Sequence, residues 1–347
     1  MILRPIQQSD YQALVKIAVE SGHGFTSLPV NEEMLRQRIS RSEDSFNAQV
    51  NKPGDQGYLF VMEDTETGQV VGTTGIEAAV GLDNAFYHYH LGKVVHSSRE
   101  LGIHNTVETL ALCNDYTGAS EICTLFLRES HRKDGNGRFL SRCRFLFIAE
   151  FPHLFDQRLV AEMRGYSDKD GISPFWEGLG KHFFSIDFTT ADKTSSVDKA
   201  FIAELMPKYP IYLPMLPDAA RAVIGRVHEN TAPALKMLQA EGFNFNGMVD
   251  IFDGGPAVEA FIHSIRTVRE GINRHVMIRK KPLVTDVPAE QQVMISNRSF
   301  RDFRVTTIPA ECIGLDTVSI PADVAEALEV ESGDLVRLAP LKDTGRR

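Results

Sequence analysis

Arg132-Lys133-Asp134-Gly135-Asn136-Gly137 stands between an apolar run, Glu121 to Leu127, and a stretch that is apolar at helical spacing, Phe139 to Phe151. Glycines at two of three positions let a backbone turn tightly and expose its N–H groups. A helix starting there adds a partial positive charge, so the turn has the chemistry to hold phosphate oxygens. Its surroundings are basic: Arg128, Arg132, Lys133, Arg138, Arg142 and Arg144 against Glu129 and Asp134. In a chain of net charge −9, that contrast predicts a pyrophosphate site set in a negative surface. The plain alternative is a glycine turn between strand and helix, with arginines solvating the helix. Short glycine patterns recur often enough to keep it open.

His228, just ahead of a helical stretch, is a second candidate. An imidazole with a pKa near ~6.5 exchanges protons at neutral pH, although a lone histidine in that position also serves as a cap. Cys123 lies on the apolar run, where a buried and inert thiol is expected. His88 and His90 flank Tyr89 at strand spacing and share a face. With His96 and His104 they form a nominal metal group. The favoured reading is polar groups lining a cleft, and no metal is expected. Glu108, Asp115 and Glu121 are carboxylates upstream of the turn that a cationic substrate would need, and spacing does not choose among them.

The elements that must position these groups follow from periodicity. Ile2, Leu3 and Ile6 suggest a strand, and Asp10 can cap a helix carrying Leu14, Ile17 and Ala18. Tyr58–Met62 and Val70–Ile76 form a hairpin around Asp64–Gly68. A strand at Phe86–Leu91 extends it, Glu121–Leu127 is a central strand, and Phe139–Phe151 is a helix with Arg142 and Arg144 on its polar side. Leu159–Met163 is a strand and Pro174–Phe184 a short aromatic helix. Lys193–Lys199 reads as a joint. Beyond it come a strand at Ala222–Val227, a helix at Ala232–Glu241 and a strand at Met248–Phe252. Lys280, Lys281 and Pro282 mark a linker. The remainder has strands at Val293–Ser296, Phe303–Thr307 and Leu335–Pro340 and a brief helix at Ala322–Leu328, spacing that suits a small β-barrel.

The 347 residues are 43% hydrophobic and 24% charged, an ordinary globular composition with material for two or three domains. The acidic balance argues against nucleic acid or an anionic membrane as the main partner. No apolar run approaches the ~20 residues that span a bilayer, and the opening residues have no signal-peptide pattern. Cys113, Cys123, Cys143 and Cys312 lack metal or disulfide spacing, so a reducing, cytoplasmic setting is expected.

The strand, the Arg-x-x-Gly-x-Gly turn and the following helix resemble the acyl-CoA pyrophosphate loop of GNAT acyltransferases. GRVHENTAPALKMLQAEGF resembles a second GNAT segment, in which an asparagine, here Asn230, opens a helix ending in Gly242-Phe243. It departs from that pattern in lacking the usual helix tyrosine, with Met237 and Leu238 there instead. The longer segments FYHYHLGKVVHSS, LFLRESHRKDGNGRFLSR, SPFWEGLGKHFF and GRVHENTAPA are similar to the arginine N-succinyltransferase family. The resemblance implies an α+β fold with a GNAT-like mixed sheet flanked by helices, interrupted by an insertion or tandem-like. It implies units at 1–192, 193–281 and 283–347, the last being the small barrel. It implies succinyl transfer from succinyl-CoA, as co-substrate rather than bound cofactor, to the α-amine of L-arginine. His228 would be the proton donor, and Leu125 and Leu127 with Arg132, Gly135, Asn136 and Gly137 would hold the CoA. Assembly into homo- or hetero-oligomers stays open, as do transfer from another acyl-CoA, another amine such as ornithine, and a non-catalytic CoA-binding module.

Overall fold

The computed structural model describes residues 1–22, 28–188, 190–191, 200–280 and 287–342. Strands β1 (Ile2–Pro5), β2 (Gly57–Asp64) and β3 (Gln69–Glu77) open the fold, with helices α1 (Tyr11–Ser21) and α2 (Glu32–Asn47) between the first two. A long hairpin follows, β4 (His88–Ser98) and β5 (Ile103–Cys113). Then come β6 (Ser120–Leu127), helix α3 (Asn136–Glu150) and β7 (Arg158–Glu162). The two-residue β8 (Ile211–Tyr212), a helix over Ala232–Glu241, β9 (Asn244–Asp250) and β10 (Pro256–Phe261) complete the main body. The C-terminal arm holds β11 (Ile272–Arg279), β12 (Gln292–Ser296), β13 (Val305–Pro309), β14 (Thr317–Pro321) and β15 (Leu335–Pro340).

The fifteen described strands form one mixed sheet, ordered β14-β11-β15-β12-β13-β1-β2-β3-β6-β7-β10-β9-β4-β5-β8. β9 and β10, from the second half of the chain, pair directly with β7 and β4 from the first. The C-terminal strands do not close into the expected barrel. β13 joins β1 at Leu3↔Val305, and β14 is left as the outer edge, so the arm is an open extension of the main sheet.

Alternation along β2 explains the layers. Tyr58, Phe60 and Met62 point into the largest core, which α3 and the arm cover. Leu59 and Val61 point the other way, beneath α1 and α2. Phe147 of α3 packs edge-on against Phe60 and Phe303, tying helix, sheet and arm together through aromatic contacts.

Several expectations are corrected. Ala222–Val227 is not a strand: a helical turn over Asp218–Arg221 gives way to turns, with only a bridge from Val227 to Gly165. Its apolar run is too short to sustain a ladder. The strand expected at Phe86–Leu91 is the start of the longer β4. Asp10 does not cap α1 with its side chain; its carboxylate accepts from the Gln7 N–H and pairs with Arg4 at 2.8 Å. Arg142 and Arg144 do not lie on a polar face, because the arm and the sheet bury α3 on all sides from Phe139 to Ile148. The joint at Lys193–Lys199 and the linker residues Lys281 and Pro282 lie outside the described residues.

Candidate active site

β6 and β7 form a fork. They run parallel and pair at Ser120↔Leu159 and Glu121↔Val160; beyond those residues β6 continues against β3 alone. Along its free length, β6 bulges. Thr73 faces Phe126 and Gly75 faces Cys123, so Thr124 and Leu125 together oppose a single residue of β3. Thr124 takes the left-handed conformation, φ 56°, which is costly for a branched residue. The Arg38 guanidinium of α2 holds it there, donating to Thr124 Oγ1 at 2.9 Å while paired with Glu77 at 3.1 Å. A bulge disrupts the ladder locally, and here Thr124 and Leu125 are the residues left out of register, beside the opening of the fork.

β6 ends at Leu127 and the turn follows. Asp134 and Gly135 adopt positive φ, 53° and 82°, and α3 begins at Asn136. The Asn136 side chain donates to the His131 carbonyl at 3.1 Å, and Arg132 Nε donates to the Leu127 carbonyl at 2.9 Å, so both brace the turn. Among the described residues, the N–H groups of Gly137 and Arg138 have no partner. A side chain at Gly137 would meet nothing within 4 Å, whereas at Gly135 it would come 3.1 Å from Ala289. Gly135 is glycine for the fold, and Gly137 leaves space outside it.

His228 belongs to the other prong. Its N–H donates to the carbonyl of Arg164, two residues past β7, at 2.8 Å, and its carbonyl accepts from Thr231 and Ala232 at the head of the Ala232–Glu241 helix. The ring is half-buried, and Nδ1 accepts the Asn230 N–H at 3.2 Å, which leaves the proton of the neutral ring on Nε2. Burial, aided by the Arg164 charge, lowers its pKa below the ordinary 6.5. The ring is therefore uncharged at neutral pH.

A family model described as the arginine N-succinyltransferase beta subunit matches residues 1–267, and one for that subunit's C-terminal domain matches 274–340. The chain belongs to the arginine N-succinyltransferase family. It is therefore an acyltransferase. It is 48% identical to the arginine N-succinyltransferase subunit beta of Pseudomonas aeruginosa over 98% of each chain. It is 46% identical to the arginine N-succinyltransferase of Yersinia pestis, also over 98% of each. A solved structure from Pseudomonas aeruginosa, the arginine/ornithine succinyltransferase subunit AI, superposes with a TM-score of 0.89 at 35% identity, covering 99% of both chains.

In this member of the family, the remaining candidates fall on both faces of the fork and outside it. Cys123 is half-buried, its thiol pushed up to about 12 by desolvation and by the nearby Glu77 and Glu121. His88 is buried and places Nε2 2.9 Å from Glu162, the last residue of β7, where the fork opens. Asp250 sits opposite His88 in register, and burial together with the Glu162 charge raises its pKa. His90, His96 and His104 lie along the β4–β5 hairpin, and among the described residues no three His, Cys, Asp or Glu groups are set to hold a metal. Glu108 faces Lys93 across that hairpin, Asp115 is exposed beyond it, and Glu121 faces Glu77 across β6 and β3. Glu162 and Arg38 were missed at the sequence level. Glu162 is the one acid in the run Leu159–Met163, and that was its only signal.

A recess of about 600 Å³ lined by Glu33, Arg36, Ser40, Arg41, Asp44 and Asp55 lies on α2 and shares no residue with the fork. No helix among the described residues is long and apolar enough to cross a membrane.

Proposed function

We propose that the chain transfers succinyl from succinyl-CoA to the α-amine of L-arginine, with the reacting atoms between the two prongs of the fork. The observation that carries this reading is the arrangement of one prong, bulged at Thr124–Leu125 and ending in the turn with free N–H groups, against another that carries His228. The pyrophosphate of CoA binds at Gly137 and Arg138, where a helix N-terminus and unpaired N–H groups meet. Arg132 and Asn136 shape that turn, Gly135 supplies its left-handed step, and the pantetheine arm follows β6 along Leu127 and Leu125. The N–H at Leu125 donates to the thioester oxygen, where negative charge grows as the tetrahedral adduct forms.

The amine attacks the thioester carbon directly. The adduct's nitrogen sheds a proton, and the CoA sulfur leaves as a thiolate. The neutral His228 ring first takes up the proton shed by the adduct's nitrogen. The imidazolium so formed, held below 6.5, is a stronger acid than a thiol, whose pKa is about 8.5, so Nε2 then delivers a proton downhill to the thiolate and the ring returns to its neutral form. The fork belongs to residues 1–192 and the His228 segment to 193–281, so the two units complete one site, with 283–347 as a flanking arm. Four free cysteines support a cytoplasmic setting.

Ornithine is a second amine favoured by one observation: the relative of known structure is named for arginine and ornithine together. The test follows free thiol release from succinyl-CoA or acetyl-CoA with a panel of amines. Fastest release with succinyl-CoA and arginine is expected. A winning acetyl-CoA, or an amine unlike arginine or ornithine, would sink the substrate assignment, and no release with any pair would sink the enzyme reading. Two relatives are named as subunits, and assembly with further copies or a second chain type extends the proposal. A mass by light scattering equal to one chain would refute that extension.

A further inference from the structure

Arg144 is 2% exposed, in the middle of α3. Its Nε donates to the Ser141 carbonyl at 3.0 Å and its Nη2 to Ser141 Oγ at 3.2 Å, both on its own helix. Among the described residues no carboxylate lies within ion-pairing distance of it. A charged group placed in a protein interior without an opposite charge costs several kcal/mol. Burial pulls its pKa down to about 10, which still leaves the guanidinium charged at neutral pH.

The helix geometry says where it points. Leu140, one turn earlier, lies over the end of β6, within reach of Gly72, the Phe126 carbonyl and Leu127. α3 runs back along β6, as the return from one parallel strand to the next requires. One turn further on is a shift of about 5.4 Å, which brings Arg144 level with the Thr124–Leu125 bulge. Arg144 is also seven residues from Gly137, hence on the same face of α3, the face that is open beside the phosphate turn. Phe145 next to it packs on Phe243, just past the Ala232–Glu241 helix, so Arg144 lies between that layer and the sheet.

We propose that Arg144 is the cation that receives the free carboxylate of the acyl group, and so selects a dicarboxylic thioester over a neutral one. This rests on the acyl-transfer reading above and extends it to the acyl end of the co-substrate. A planar guanidinium with a free Nη1 edge suits a carboxylate, which accepts two parallel N–H bonds. The acyl carboxylate supplies the charge that the protein interior lacks.

The test compares succinyl-CoA with propionyl-CoA, the same acyl chain without its carboxylate, in wild type, Arg144→Met and Arg144→Lys. In Arg144→Met, kcat/KM for succinyl-CoA is expected to fall about 100-fold, the usual scale for truncating one partner of a buried charge pair. Its value for propionyl-CoA should stay within about threefold (~0.6 kcal/mol), and Arg144→Lys should recover part of the succinyl rate. Equal losses with both thioesters, or no loss with either, would overturn the proposal. So would failure of Arg144→Met to fold, since the guanidinium would then serve the protein's own interior. A wild type that does not distinguish the two thioesters would instead strike at the succinyl reading itself, and the two failures are thus told apart.

Discussion

Gly135 and Arg142 on one side of α3, and Gly137 and Arg144 on the other, are like residues with opposite surroundings. Within each like pair the two residues are two positions apart, about 200° around the helix. On the first side the protein supplies every partner. A side chain at Gly135 would meet Ala289 and Leu341 of the arm. Arg142, as buried as Arg144, donates to the Leu341 carbonyl and pairs with Glu241 at 2.8 Å. Glu241 in turn holds Arg266 at 2.7 Å and accepts the Thr267 N–H. On the second side Gly137 faces space and Arg144 has no counter-charge among the described residues. One face of the helix is completed by the arm, and on the other the proposed co-substrate would supply the missing partners.

Substitutions can break that contrast. The largest effect should come from the opposite prong: His228→Ala is expected to lower kcat by 100-fold or more, the range for losing a positioned proton donor, with CoA affinity unchanged by calorimetry. Near-normal kcat would remove His228 from the chemistry. Arg142→Met should cost about 3 kcal/mol in urea unfolding, because it leaves the buried Glu241 carboxylate short of a partner. Arg144→Met should cost nothing or stabilise slightly. Equal losses would erase the difference between the two faces. Gly135→Ala should destabilise by about 1–2 kcal/mol through its left-handed backbone. Gly137→Ala should leave stability nearly unchanged yet raise KM for the acyl-CoA about tenfold, the worth of one charge-assisted contact to phosphate. The smallest effect is expected at Cys123. Its raised pKa keeps it a thiol from pH 6 to 9, so it should resist iodoacetamide until unfolding, and Cys123→Ser should keep its rate.

The strand, glycine turn and helix at Glu121–Phe151 were legible because their signal is local: an apolar strand, two glycines and a helical period within about thirty residues. The Ala232–Glu241 and Ala322–Leu328 helices and β15 were legible for the same reason. What the sequence hid depends on distant chain. Arg142 and Arg144 read as solvated because nothing nearby shows that the arm, two hundred residues on, will cover α3 at Arg142, or that Arg144 will face the sheet. The bulge at Thr124 is set by Arg38 from α2, a partner that no spacing rule supplies. The barrel reading failed because β13 pairs with the first strand of the chain, which a survey of the tail alone does not consider.

Amide hydrogen exchange of the full chain, with and without succinyl-CoA, tests most directly whether the fork is where the co-substrate sits. Slowed exchange at Gly137 and Arg138, along Leu125 to Leu127 and around His228, with the arm and α2 unchanged, is the expected result. Protection centred on the α2 recess around Arg36 and Asp44, with Gly137 exchanging as before, would contradict it.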